Sequence, residues 1–186
     1  MTNIAGAEKK LRQAAFFLGH LEQLPKDNRA GRDPESLEFF FSAFLSAAQS
    51  IYYVLDDTGG TEFKERQRRW RAALPESQRS RFVRMIGLRD KDVHLAKSGA
   101  ETLPKYVGED RSRHTITNIA MFGHETLVEM ENPDGTKVSA PVLRGSVGLY
   151  IEQEGQRIAA VTACREFIGQ LRSLVDAVKA AQMTNP

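Results

Sequence analysis

Between Pro34 and Leu55 the chain carries an apolar stripe too broad for a surface helix. Leu37, Phe41, Phe44, Ala48, Ile51 and Leu55 recur at helical spacing, and Phe40, Leu45 and Tyr52 widen the stripe. Ser42, Ala43, Ser46, Ala47 and Ser50 fill much of the remainder. A helix with so wide an apolar face must be packed on several sides. This segment therefore predicts a central helix around which others assemble, with its phenylalanines in the core. Pro34 suits a first helical turn, and Glu35 and Glu38 suit the positive end of the helix dipole.

The flanking segments supply the partners. Residues 7–24 predict a first helix, with Leu11, Ala14, Leu18 and Leu21 inward and Phe17 beside them. Pro25 and the polar run 26–33 form the loop that follows. Asp56-Asp57-Thr58-Gly59-Gly60 ends the central helix. Thr61 then caps a third, whose inward residues are Phe63, Trp70 and Leu74. Pro75 opens a fourth helix that runs to about Ser98, where Gly99 stops it. Phe82, Ile86, Arg89 and Val93 fall on one stripe of that helix.

The character changes after Gly99. Strands are expected at 114–120, 125–131, 137–143 and 147–153, with a short fifth at 157–161. Asn132-Pro133-Asp134-Gly135 and Glu154-Gly155 are turn signals. A closing helix over 162–181 turns Cys164, Phe167, Ile168, Leu171, Leu174, Val175 and Val178 inward. The expectation is a mainly α single domain over 1–186. It combines an antiparallel bundle of about five helices (7–98 and 162–181) with a small antiparallel β-meander inserted before the last helix (114–161).

The bulk numbers fit this. At 186 residues, 41% hydrophobic and 27% charged, the chain is long enough to bury a core without cross-links. One cysteine, Cys164, excludes an internal disulfide and fits a reducing compartment. Charge interrupts every apolar run well before membrane-spanning length. Met1-Thr2-Asn3-Ile4 lacks the start of a signal peptide. A cytoplasmic protein with no membrane attachment is expected.

The formal net charge is only +2, but it is unevenly spread. From Lys64 to Lys91 there are ten basic residues against Glu65, Glu76 and Asp90, a local net of +7. Arginine dominates, and its planar fork suits phosphate. One reading is an RNA-facing surface carried by Arg68, Arg69, Arg81, Arg84 and Lys91. The other is a solvated helical face neutralised by carboxylates from elsewhere.

Inside this stretch, Arg89-Asp90-Lys91-Asp92-Val93-His94 is the most pointed segment. Arg89 falls on an otherwise apolar stripe, where a guanidinium costs desolvation unless it is paired or borders a groove. Asp90 and His94 are four apart, so a carboxylate neighbours the imidazole and can orient it and raise its pKa. An arginine to stabilise phosphate charge and a histidine as acid or base suit phosphodiester cleavage. Residues five apart diverge by about 140° around a helix. Arg89 and His94 are therefore more naturally joined across a two-fold axis than within one chain. The bland alternative is a surface helix with local ion pairs.

Other constellations carry less. His114 and His124 lack metal-ligand spacing, and no metal or cofactor is expected. Cys164 reads as a buried small residue rather than a nucleophile. There is no glycine-rich phosphate loop and no Gly-x-Ser-x-Gly elbow.

The aromatic, small-residue-rich segment 35–50, followed some forty residues on by Leu88-Arg89-Asp90-Lys91-Asp92-Val93-His94, resembles the HEPN superfamily (higher eukaryotes and prokaryotes nucleotide-binding). The likeness covers 7–98 and the closing helix, and leaves the β segment as an insertion. It implies a helical, commonly dimeric protein in a family that includes metal-independent endoribonucleases of toxin–antitoxin, phage-defence and RNA-processing systems. It further implies His94 as general acid or base and Arg89 as the group stabilising charge at phosphorus. The position after the arginine, commonly asparagine in the family, is Asp90 here. Other members bind only nucleotides or partner proteins. The leading expectation is an RNA-directed homodimer with ribonuclease activity. The alternative is a non-catalytic module for a nucleotide or an antitoxin-like partner. A third is a small-molecule regulatory domain between bundle and meander.

Overall fold

The computed structural model describes residues 2–23, 34–95, 100–106, 115–122, 125–132, 134–153 and 155–184. Residues 34, 90–95, 102, 104–106, 115–122, 125–126, 141–147 and 184 are described by their backbone alone. Four helical spans occur among the described residues: α1 (Ile4–Gln23), α2 (Pro34–Ala73), α3 (Glu76–Leu95) and α4 (Ala160–Thr184). Between α3 and α4 lie β1 (Ala100–Tyr106), β2 (Thr115–Phe122), β3 (Glu125–Glu131), β4 (Lys137–Gln153) and β5 (Gln156–Ala159). The protein is mainly helical with a small antiparallel sheet.

The helices form where the apolar periodicity places them. In α1, Ala7, Leu11, Ala14, Leu18 and Leu21 are buried at alternating spacings of four and three. Asn3 caps its start, its side-chain oxygen accepting the Gly6 N–H at 2.8 Å. α4 buries Cys164, Phe167, Ile168, Leu171, Leu174, Val175 and Val178. Two ion pairs bind α1 to α4, Glu8–Lys179 at 2.8 Å and Glu22–Arg165 at 2.6 Å. The expected central helix is the N-terminal part of α2. Phe41, Phe44, Ala48, Ile51 and Leu55 there are wholly buried, and α2 contacts α1, α3 and α4.

α2 does not run straight. At Gly60 the backbone turns to φ 55°, ψ −139°, a left-handed setting that glycine adopts without a Cβ clash. Arg71 Nη2 then donates to Tyr52 Oη at 2.9 Å. In a straight helix these residues would lie about 28 Å apart along the axis. The span is therefore folded back on itself, with limbs 34–59 and 61–73. The expected count of about five helices becomes four spans, because the second and third expected helices join through Gly60. Thr58 ties this fold to the N-terminus, accepting the Asn3 N–H at 2.8 Å and donating to the Val54 carbonyl at 2.7 Å.

The sheet departs further from expectation. Its order is β1-β4-β3-β2, with β5 also on β4. Ile151 pairs with both Ala100 and Ile158, so β1 and β5 flank β4 on opposite edges. β4 is one strand of 17 residues where two were expected. It stays continuous through Arg144-Gly145-Ser146 because its partners change: β3 pairs with 137–141 and β1 with 142–151. β1 lies ahead of the first expected strand and was not expected; its Pro104 has no N–H to give a ladder. An edge strand tolerates that, and the register shifts just after it. The expected turn at Asn132–Gly135 is present, with Gly135 N–H on the Asn132 carbonyl at 2.9 Å. The expected strand start at His114 lies outside the described residues. Leu149 and Ile151 join the main core and fasten the sheet to the helices. Val128 and Met130 form a separate small cluster with Leu103 and Ala140.

Candidate functional site

α3 lies between α2 and α4, and its buried residues are Phe82, Met85 and Leu88. The Phe82 ring stands 5.2 Å from Trp70 and 5.3 Å from Phe167, which fixes the rotation of the helix. Of the expected stripe through Phe82, Ile86, Arg89 and Val93, Phe82 is wholly buried and Ile86 packs against the core, while the Val93 side chain lies outside the described residues. Ile86 is only partly buried, and Arg89 sits at the border of the packed face rather than within it. Arg89 is partly buried, with its Nε inside the packing. The Arg89 guanidinium lies over the ring of Tyr53 on α2, 6.0 Å from the centroid. Tyr53 is 56% exposed. Tyr52 belongs to the central stripe, and Tyr53 lies beside it. Its signal was an aromatic one position off an otherwise complete stripe.

Asp90, Lys91 and His94 are on the last turns of α3, in the same continuous helix as Arg89. Their side chains lie outside the described residues. The helical backbone keeps the angular divergence of positions 89 and 94 at about 140°.

The fold brings carboxylates to the basic stretch, among them Asp56, Glu62 and Glu166 from outside 64–91. Lys64 meets Asp56 at 3.6 Å, and Arg66 pairs with Glu62. Arg79 pairs with Glu76 at 2.8 Å. Arg81 Nη1 reaches both oxygens of Glu166 on α4, at 2.7 and 2.9 Å. Arg71 packs over the Phe82 ring at 5.7 Å while donating to Tyr52. Arg68 and Arg69 differ from these. They share the single carboxylate of Glu65, at 4.0 and 2.7 Å, with side chains 79% and 76% exposed. Arg84 is half-buried on α3. Of the expected RNA contacts, Arg68 and Arg69 are thus openly displayed, while Arg81 is engaged between helices. A cavity of about 20 Å³ beside Arg81, Gln153 and Glu166 has room for about one water.

Cys164 is fully buried, and burial pushes its thiol well above the usual range. His114 and His124 lie outside the described residues. Among the described residues no group of three or more His, Cys, Asp or Glu is arranged to hold a metal ion. No helix among them is long and apolar enough to cross a membrane. A histidine passed over in the sequence, His20, stacks on Phe40 at 4.7 Å and meets the exposed Phe16 edge-on at 4.6 Å.

Fold and site together define a mainly helical protein with an inserted antiparallel sheet and an arginine–aromatic step on its α2–α3 border. Compared with protein families, curated proteins and solved structures, the chain matches none.

Proposed function

We propose that the chain is an HEPN-like, RNA-directed protein that acts as a homodimer and cleaves RNA without a metal ion. The observation that carries this reading is Arg89. It is held at the solvent border of the α2–α3 packing, over an exposed tyrosine, and it opens an Arg-x4-His segment on one continuous helix. A guanidinium is the side chain best suited to stabilise charge on a phosphate.

In this reading His94 takes the proton from the RNA 2′-hydroxyl or returns one to the leaving oxygen. Arg89 stabilises charge developing at phosphorus. Asp90 is one turn before His94 in sequence, the spacing at which a carboxylate can neighbour an imidazole. Arg68, Arg69, Arg84 and Lys91 hold the RNA backbone, and Arg81 holds α3 against α4. Since positions 89 and 94 diverge on the helix, each working site combines Arg89 of one protomer with the partner's His94. Such activity belongs to a cytoplasmic defence or toxin-type system, in which an antitoxin-like partner keeps the nuclease silent.

Asp90 favours a second reading. A carboxylate next to the phosphate-binding arginine opposes anion binding, and a module that docks a protein partner without cleavage tolerates it better. One experiment separates the two. In the first reading, purified protein cleaves single-stranded RNA in EDTA and leaves a cyclic phosphate, and His94→Ala abolishes cleavage with an unchanged circular dichroism spectrum. Undiminished cleavage by that variant overturns the catalytic assignment. Absence of cleavage by the wild type supports the second reading.

A further inference from the structure

The hairpin of β4 and β5 turns one face toward the helices. Leu149 and Ile151 alternate along that face of β4, and both lie in the main core. The next position of the same face is Gln153. It is 9% exposed, so it continues the buried row with an amide in place of an apolar side chain. Across the hairpin it pairs with Gln156, as Ile151 pairs with Ile158. Among the described residues, the Gln153 side chain makes no hydrogen bond.

Gln153 lines the cavity of about 20 Å³ beside Arg81 and Glu166. Three elements meet there: Arg81 comes from α3, Gln153 and Gln156 from the hairpin, and Thr162 and Glu166 from the first two turns of α4. Arg81 makes both of its contacts to Glu166 through Nη1. Its Nε is buried and has no hydrogen-bond partner among the described residues. Arg81 and Gln153 thus each bring to one small space a buried polar group that no protein atom satisfies. Such a group is costly, and native folds satisfy nearly all of them.

The space also selects what can satisfy them. About 20 Å³ admits one water and excludes a larger ligand. Arg81 and Glu166 neutralise each other, so an ion of either sign meets a like charge beside the attractive one. A neutral molecule that both donates and accepts meets no such opposition. Water accepts from the Arg81 Nε–H and donates to the side-chain oxygen of Gln153, with the Thr162 hydroxyl as a third partner.

We propose that this cavity is a binding site for one structural water, which bridges Arg81 of α3 to Gln153 of β4 and joins the inserted sheet to the helical bundle. Leu149 and Ile151 fasten the sheet by apolar packing. The water fastens the end of the hairpin by hydrogen bonds. The inference goes beyond the RNA-directed reading and stands whatever the chain acts on.

Two measurements test it. A crystal structure of the full chain, at a resolution that shows ordered water, is expected to carry one density peak within hydrogen-bond distance of both Arg81 Nε and the Gln153 side-chain amide. Thermal melting of Gln153→Met is the second. Methionine is a flexible, unbranched side chain that fills the space without an amide. Loss of the bridge leaves the Arg81 Nε unsatisfied, and Tm is expected to fall by about 2–4 °C. If no water serves the Gln153 amide, the substitution removes a buried unpaired group, and Tm stays or rises. An unchanged or raised Tm therefore overturns the bridge. So does clear density for both side chains with no peak between them. If Gln153→Met does not fold, the density in the wild type decides alone.

Discussion

Arg71 Nη2 donates a hydrogen bond to the Tyr52 hydroxyl at 2.9 Å, joining two limbs of one helical span nineteen residues apart. Burial pushes the Tyr52 phenol above its ordinary pKa, and the Arg71 charge and hydrogen bond act against that rise. The contact exists only because the backbone reverses at Gly60, with φ 55° and ψ −139°. Gly60→Ala is expected to cost about 1–3 kcal/mol through backbone strain, with a clear fall in Tm. Gly19, inside α1, has nothing within 4 Å of an added Cβ. Gly19→Ala is therefore expected to stabilise by about 0.5–1 kcal/mol. Thermal denaturation of the two variants should give shifts of opposite sign, and an unchanged or raised Tm for Gly60→Ala would contradict the assignment of strain to Gly60.

The basic stretch should divide into two kinds of arginine. Arg81, bound to both oxygens of Glu166 between α3 and α4, is structural. Arg81→Ala is expected to lower stability by about 1 kcal/mol, a modest figure because the pair is partly solvated. Arg68 and Arg69 are exposed and share one carboxylate. Replacing either with alanine should leave Tm unchanged and reduce the salt dependence of RNA binding by about one unit of slope. Melting curves and salt titrations of the same three variants decide the division.

Cys164 should be chemically silent in the folded protein. It is fully buried and its thiol is pushed well up by desolvation, so little thiolate forms near neutral pH. A thiol-specific chromogenic reagent is expected to react fully only after denaturant is added. Rapid reaction of the native protein would contradict the packing of α4.

The α1–α4 contact at Glu8 and Lys179 should respond to pH with a defined sign. The Lys179 hydrogen bond holds the Glu8 carboxyl below its ordinary value, and the Glu8 hydrogen bond raises the Lys179 ammonium. A lowered carboxyl contributes stability that is complete above the ordinary glutamate pKa and lost as pH falls through the lowered value. A raised ammonium contributes stability that is complete below the ordinary lysine pKa and lost as pH rises through the raised value. Carbon-detected NMR of the side-chain carboxyl should show Glu8 titrating higher in Lys179→Gln. An unmoved titration would break the pairing.

How far the sequence could be read followed from how local each determinant is. α1, the first limb of α2 and α4 were legible because their apolar spacing alone sets which face is buried. The break at Gly59-Gly60 was legible as turn chemistry, but the return of Arg71 to Tyr52 was not, since it depends on the angle at one glycine. β1 was hidden by Pro104, which reads as a breaker and is tolerated only because β4 lies on its inner side. The run 137–153 read as two strands because Gly145 and Ser146 look like a turn when the partners on either edge are unknown. At the candidate site, Arg89 stood out as a charge on an apolar stripe. The aromatic it meets, Tyr53, is thirty-six positions away on another helix, and no spacing rule connects them. The Arg81–Glu166 pair was hidden in the same way.

The most direct test of a shared catalytic site is complementation between two inactive proteins. Arg89→Ala and His94→Ala homodimers each lack one half of every site and should be inactive on single-stranded RNA in EDTA. When they are unfolded together and refolded as a mixture, half of the dimers are mixed. Each mixed dimer rebuilds one intact site from the Arg89 of one protomer and the partner's His94. Recovery of about a quarter of wild-type cleavage is expected. A mixture as inactive as its parents, beside an active wild type treated in the same way, would contradict a site assembled across the dimer.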